Sequence, residues 1–134
     1  MLLPAVQRDD FSAPFFDAAA QGILLVRRCE NGHFLAPSSG SSHGNSLRCH
    51  ECQSGRVDWH PASGMATLVS WIVLHPRDGG GETRRAGLVE LEEGPWMYAL
   101  LDVPSDLELR VGLALRVGFV PTDGGETIPS FGPA

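Results

Sequence analysis

Three cysteines and a histidine in this chain are spaced as ligands of one metal ion would be. Cys49 and Cys52, in "RCHEC", stand at a separation that lets both sulfurs reach one ion while backbone N–H groups bond to the thiolates. Cys29 lies about twenty residues upstream in "RRCENGHFLAP", and the two segments together have the layout of a zinc ribbon except at its fourth position. His33, four residues after Cys29, can complete the tetrahedron, because zinc accepts mixed thiolate and imidazole sets. Its rivals are His43, in a Ser/Gly-rich loop, and His50, which stands between two cysteines and would project away from an ion they both hold. Three idle thiols are the other reading of the same residues. The expectation is one structural zinc held by Cys29, His33, Cys49 and Cys52.

The residues that are absent restrict the chemistry further. The ten basic residues are all arginine, so Schiff-base chemistry and any phosphate loop built on a lysine are excluded. No recognisable nucleophile–base pair is present, and no catalytic turnover by the isolated chain is expected. A stand-alone zinc hydrolase would need an open coordination position with Glu30 or Glu51 nearby, and that position exists only if His33 does not ligate. A formal net charge of −6 argues against a nucleic-acid binder, whose affinity comes mainly from neutralising phosphates. An odd number of thiols without a secretory leader implies reduced cysteines or metal ligands. "MLLPAVQRDDF" is no signal peptide, and "MATLVSWIVL", interrupted by Thr67 and Ser70, is too short to span a bilayer; a cytoplasmic location is expected.

The elements that must position these ligands follow from local pattern. "DDFSAPFFDAAAQG" reads as a short helix with Ser12 as cap, Pro14 in the first turn and Gly22 as stop. "GILLVRRC" is a strand leading into the first ligand turn, and "GRVDW" is a short strand after the second. Beyond Ala62, "GMATLVSWIVLH", "AGLVELEE", "PWMYALLDV" and "GLALRVGFV" are four strand-like runs separated by turn signals. In the first, Leu68, Ser70, Ile72 and Leu74 alternate with Thr67, Val69, Trp71 and Val73, so both faces are largely apolar. "EEGPW" has the Gly and Pro of a tight hairpin, and "HPRDGGGETRRAG" is a longer connection. Four to five short strands with one long loop suit an OB-like barrel. The fold class expected is mainly β: an N-terminal helical segment with a lead-in strand (1–26), a rubredoxin-like zinc ribbon (27–60) and a small OB-fold barrel with a C-terminal tail (61–134).

In this order the segments resemble a known family: small acyl-CoA-associated proteins with a rubredoxin-like zinc ribbon followed by an OB-fold, long catalogued as a domain of unknown function. The resemblance rests on "APFFDAAAQGILLVRRC", on "LRCHECQSGRVDWHPASGMATLVSW", and on "AGLVELEEGPWMYALLDV" and "LRVGLALRVGFV", which look like the later barrel strands. It covers nearly the whole chain, and it is carried by the order of segments more than by any one motif. The family typically has four cysteines, the second aligning near Gly32; His33 is the substitute here.

The resemblance implies a non-catalytic accessory subunit. Such proteins bind thiolase-like proteins, hot-dog-fold hydratases or aldolases acting on CoA thioesters, including those of steroid side-chain breakdown. They brace the partner or help hold the acyl-CoA. In that setting Arg77, Arg84 and Arg85, around Gly79-Gly80-Gly81, are candidates for the CoA phosphates, which guanidinium forks match. Docking would use apolar groups left over from a small core, with Phe16, Phe34, Leu35 and Phe131 of the tail "TIPSFGPA" as expected contributors. The alternatives are a single-stranded nucleic-acid-binding OB protein, which needs a basic groove and stacking aromatics, and the stand-alone zinc enzyme.

Overall fold

The computed structural model describes residues 6–38, 47–75 and 83–134. The one helix among the described residues, α1 (Ala13–Ala20), has Pro14 in the first turn, and the chain leaves it through Gly22 at φ +78°. Ser12 stands at the N-cap and accepts the Phe16 N–H at its carbonyl, but its hydroxyl makes no capping bond because it is taken by Asp9. Arg8 ties this arm to the rest of the molecule, with paired 2.8 Å bonds to Glu126 and a 2.6 Å bond to Asp17. Among the described residues no helix is long and apolar enough to cross a membrane.

Strands β1 (Leu25–Cys29), β2 (Phe34–Leu35) and β3 (Val57–Pro61) form an antiparallel sheet in the order β2-β1-β3. Strands β4 (Met65–Leu74), β5 (Arg84–Leu91), β6 (Trp96–Leu101), β7 (Ala114–Pro121) and β8 (Thr127–Pro133) close a barrel in the order β4-β5-β6-β8-β7. All its pairings are antiparallel except β6 with β8. Five strands closed with that one parallel pair make an OB-type barrel.

The barrel core is Leu68, Val89, Leu91, Leu115 and Phe131, all at most 2% exposed. Leu24 and Val26, from the lead-in to the ribbon sheet, belong to the same cluster, so the small sheet leans on the barrel. Gly87 makes the close packing possible. A Cβ there would stand 3.0 Å from methyl carbons of both Leu68 and Leu101. Beside this core Arg27 is 6% exposed, its guanidinium 3.5 Å from the ring centre of Trp59 and 4.6 Å from that of Phe11. Burial lowers its pKa, and the two aromatic faces supply the compensation that hydrogen bonds do not, since Nε and one terminal nitrogen are buried without a partner.

Two expectations are corrected here. The C-terminal segment is not a loose tail: Thr127–Pro133 is β8, and it pairs with β7 from Leu115 to Pro121 and with the end of β6. Phe131, flanked by Ser130 and Gly132, is 0% exposed because the alternation of β8 turns its ring into the barrel, so it cannot face a partner. Leu35 is also buried, at 2%, in a second cluster with Cys29 and Cys49.

Candidate metal centre

The four predicted ligands come together at one end of the ribbon sheet. Strand β1 delivers Cys29 buried at its last position, and a turn through Gly32, at φ +85°, reverses the chain. The Cys29 N–H donates to the His33 carbonyl at 2.9 Å, the Gly32 N–H donates to the Cys29 carbonyl at 3.0 Å, and the His33 N–H reaches Cys29 Sγ at 3.3 Å. The second turn is built alike. Gln53, at φ 63°, donates its N–H to the Cys49 carbonyl at 2.8 Å, and the Cys49 N–H donates to the Ser54 carbonyl at 2.9 Å. Ser54 Oγ donates to Glu30 at 2.7 Å and the Glu30 N–H donates to the Arg56 carbonyl at 3.0 Å, which stitches the two turns together.

The donor atoms of Cys29, His33, Cys49 and Cys52 all lie within 4.8 Å of one another. Cys29 Sγ is 3.8 Å from Cys52 Sγ, and His33 Nδ1 is 3.4 Å from Cys29 Sγ and 3.5 Å from Cys49 Sγ. A zinc tetrahedron with the usual metal–sulfur and metal–nitrogen lengths has edges of about 3.8 Å between sulfurs and about 3.5 Å between sulfur and nitrogen. The donor set therefore fits a four-coordinate ion. His33 turns its other nitrogen, Nε2, towards Glu51 Oε2 at 3.4 Å, the carboxylate contact that orients a ligating imidazole. His50 is exposed and outside the group, and His43 lies outside the described residues.

The electrostatics favour metal binding. The Asn31 amide, 3.2 Å from Cys52 Sγ, and the Ser54 backbone N–H bring the Cys52 thiol down to about 6. Hydrogen bonding to Cys52 and Cys29 raises His33, whereas burial pushes the Cys49 thiol up. With His33 in the fourth place, a four-coordinate ion held by this cluster would have no open position for substrate.

The other predicted positions are scattered. Arg77 lies outside the described residues. Arg84 and Arg85 line a groove of about 520 Å³ at the barrel mouth, with Thr83, Asp102, Ser105 and Ser130. Arg85 is already committed: its guanidinium donates to the carbonyls of Ser105 at 2.9 Å, Leu107 at 3.3 Å and Pro104 at 3.5 Å. It is thus a brace for the 104–107 loop and no free fork for a phosphate. Phe16 is half-buried against Phe15, in an apolar cleft of about 260 Å³ that Trp59 and Tyr98 also line. Phe34 is half-buried between Arg28 and His60. The exposed large apolar side chains are others, among them Trp71, Ile72, Val73 and Leu74 in succession, with Trp96 and Tyr98, and separately Ile23 and Val111. Their exposure had no sequence signal, because alternation does not say where a strand outruns its barrel.

A ribbon closed by one three-thiolate, one-imidazole cluster and followed by an OB barrel is a two-module class of protein, and known proteins share both modules. Residues 59–120 match the family model described as ChsH2, C-terminal OB-fold domain. A probable enoyl-CoA hydratase alpha subunit from Thermomonospora curvata is 29% identical over 133 residues, which are 98% of this chain and 39% of that protein. A DUF35 domain-containing scaffold protein from Pyrococcus furiosus is 28% identical over 97 residues, covering 70% of this chain and 66% of its own length. This chain thus spans about two fifths of the first relative and just under two thirds of the second.

Among solved structures, the Ltp2–ChsH2(DUF35) aldolase superposes with a TM-score of 0.73 at 28% identity, covering 97% of this chain and 98% of the matched one. A DUF35-family protein of unknown function from Sulfolobus solfataricus has a TM-score of 0.59 at 11% identity over 93% of this chain and 86% of its own, a likeness of fold alone. In its order of modules and in these matches the chain is similar to proteins of the DUF35 kind, a ribbon followed by an OB-fold.

Proposed function

We propose that this chain is a non-catalytic accessory subunit of an enzyme that processes CoA thioesters, of the thiolase-like, hot-dog hydratase or aldolase kind. The observation that carries the reading is the combination of a closed metal site with a run of four exposed large apolar residues, Trp71 to Leu74. A site with no open coordination position offers no catalytic metal, and an apolar surface of that kind marks an interface. The relatives named for a scaffold, a hydratase subunit and an aldolase assembly support the same direction. Zinc is the ion that the donor set suits, and it would be held by Cys29, His33, Cys49 and Cys52 to fasten the two turns. Within a complex, Arg77 and Arg84 would meet the CoA phosphates, while Arg85 shapes the groove by holding its loop.

The test is coexpression with CoA-thioester enzyme subunits from the same organism. The expected outcome is a stable complex with turnover, and none from the isolated chain. Thiolysis, hydration or aldol cleavage by the purified chain alone would overturn the accessory assignment. A chain that associates with no such subunit would remove it altogether.

A further inference from the structure

The distal half of β4 carries an open strand edge. Strand β4 pairs with β7 only over Met65–Thr67, and Leu68 adds two last bonds, to the Leu113 carbonyl at 3.0 Å and from the Gly112 N–H at 2.8 Å. A register shift then falls between Leu68 and Ser70, and from Ser70 to Leu74 the strand pairs with β5 alone. Among the described residues nothing hydrogen-bonds the other flank of this stretch. Folded proteins ordinarily blunt such an edge with charge, lysine or proline. Here residues 70–74, "SWIVL", carry none of these, and Trp71, Ile72, Val73 and Leu74 are 37%, 60%, 46% and 41% exposed.

The edge is continuous with an apolar sheet face. Cross-strand register aligns Ser70 with Leu88 and Tyr98, and Ile72 with Ala86 and Leu100. Tyr98 is 83% exposed, and the indole of neighbouring Trp96 is held outward by a 2.8 Å bond to Glu90.

We propose that residues 70–74 receive an added antiparallel or parallel strand from the partner enzyme, an extended segment without charge at the positions that meet Trp71–Leu74. This rests on the accessory-subunit reading and names the surface it would use. The unpaired N–H and C=O groups select a strand over a helix or a loop, because only an extended backbone satisfies them in series. Apolar side chains on both sides of β4 require an apolar neighbour on both sides. A second copy of this chain fits less well. Edge-to-edge pairing of two β4 strands would cover the edge, leave the Tyr98 face bare, and bring together two chains of net charge −6 each.

The test is hydrogen exchange at residues 70–74 in the free full-length chain and in its complex with a CoA-thioester enzyme subunit. The expected result is fast exchange of the edge amides in the free chain and a slowing of about tenfold or more in the complex. Ile72→Lys and Val73→Lys should weaken the complex by about tenfold or more while leaving the melting temperature of the free chain unchanged. A complex whose 70–74 amides exchange as in the free chain would overturn this inference and leave the accessory reading standing. Failure to form a complex with any such subunit would overturn both. Protection in the free chain that grows with concentration would make a second copy the occupant and also overturn it. The exchange comparison on the unsubstituted chain decides the matter even if a lysine variant fails to fold.

Discussion

His33 is the one non-thiolate donor of the cluster, and its imidazole completes the donor count only because Nδ1, the nitrogen nearer the backbone, faces the sulfurs. His33→Ala should therefore lose zinc, read by elemental analysis of protein purified without chelator, while His33→Cys should keep it. Retention of zinc and melting temperature by the alanine variant would remove His33 from the site. In the metal-free chain Cys52 should be the first thiol alkylated, with a midpoint near pH 6, its value being about 6 against an ordinary 9.0; buried Cys49 should be last. The sign of the linkage follows. A depressed folded value means that the Cys52 thiolate favours the folded metal-free knuckle fully above pH 9.0 and loses that contribution as pH falls through about 6. Phe131 tests the core in the same manner. Its ring is wholly buried, so Phe131→Ala should cost about 3–5 kcal/mol in denaturant unfolding, against almost nothing if it lay on the surface.

At the scale of elements, β8 and β4 matter most. Because β8 pairs with β7 along its length and with the end of β6, it is the strand that closes the barrel. Deleting residues 127–134 should thus abolish cooperative thermal unfolding of the isolated chain; a truncated protein with an unchanged melting curve would contradict the closure. Strand β4 has two different halves. Up to Leu68 it is a barrel wall, and beyond the bulge it is an arm whose apolar residues stay in solvent. The 104–107 loop depends on a single side chain, since Arg85 donates to three of its carbonyls. Arg85→Ala should speed amide exchange across that loop with little effect on the ribbon.

For the whole molecule, the four-donor cluster and the barrel core lie in different parts of the chain and tie different segments together. The second cluster, around Cys29, Leu35 and Cys49, is small, and structural zinc in such knuckles contributes folding energy outright. Leu24 and Val26, by contrast, are packed into the barrel core. Chelation should therefore raise exchange and proteolysis first in the two turns around Cys29 and Cys49, with β5 to β8 remaining protected. Simultaneous loss of both regions in one transition would show that the ribbon and barrel unfold as a unit.

Local spacing carried the grouping of Cys29, His33, Cys49 and Cys52, because two tight turns need only short-range geometry, and each pair is fixed within its own turn. The helix with Pro14 and Gly22, the strand runs and the "EEGPW" hairpin were legible for the same reason: periodicity and turn chemistry act over a few residues. What "TIPSFGPA" does was not legible. Its two internal prolines and its glycine read as irregular chain, yet pairing with β7 and β6 makes it a strand, a long-range effect that no local propensity encodes. The same holds for surface and core. Composition indicated that apolar groups would be left over, but Leu35 and Phe131 went inside while Trp71, Ile72, Val73 and Leu74 stayed out. Only barrel closure could decide that, since the faces of a strand become inside and outside when its neighbours stop, and β4 runs on past Thr67, where its pairing with β7 ends, and past the last bonds of Leu68 to residues 112 and 113.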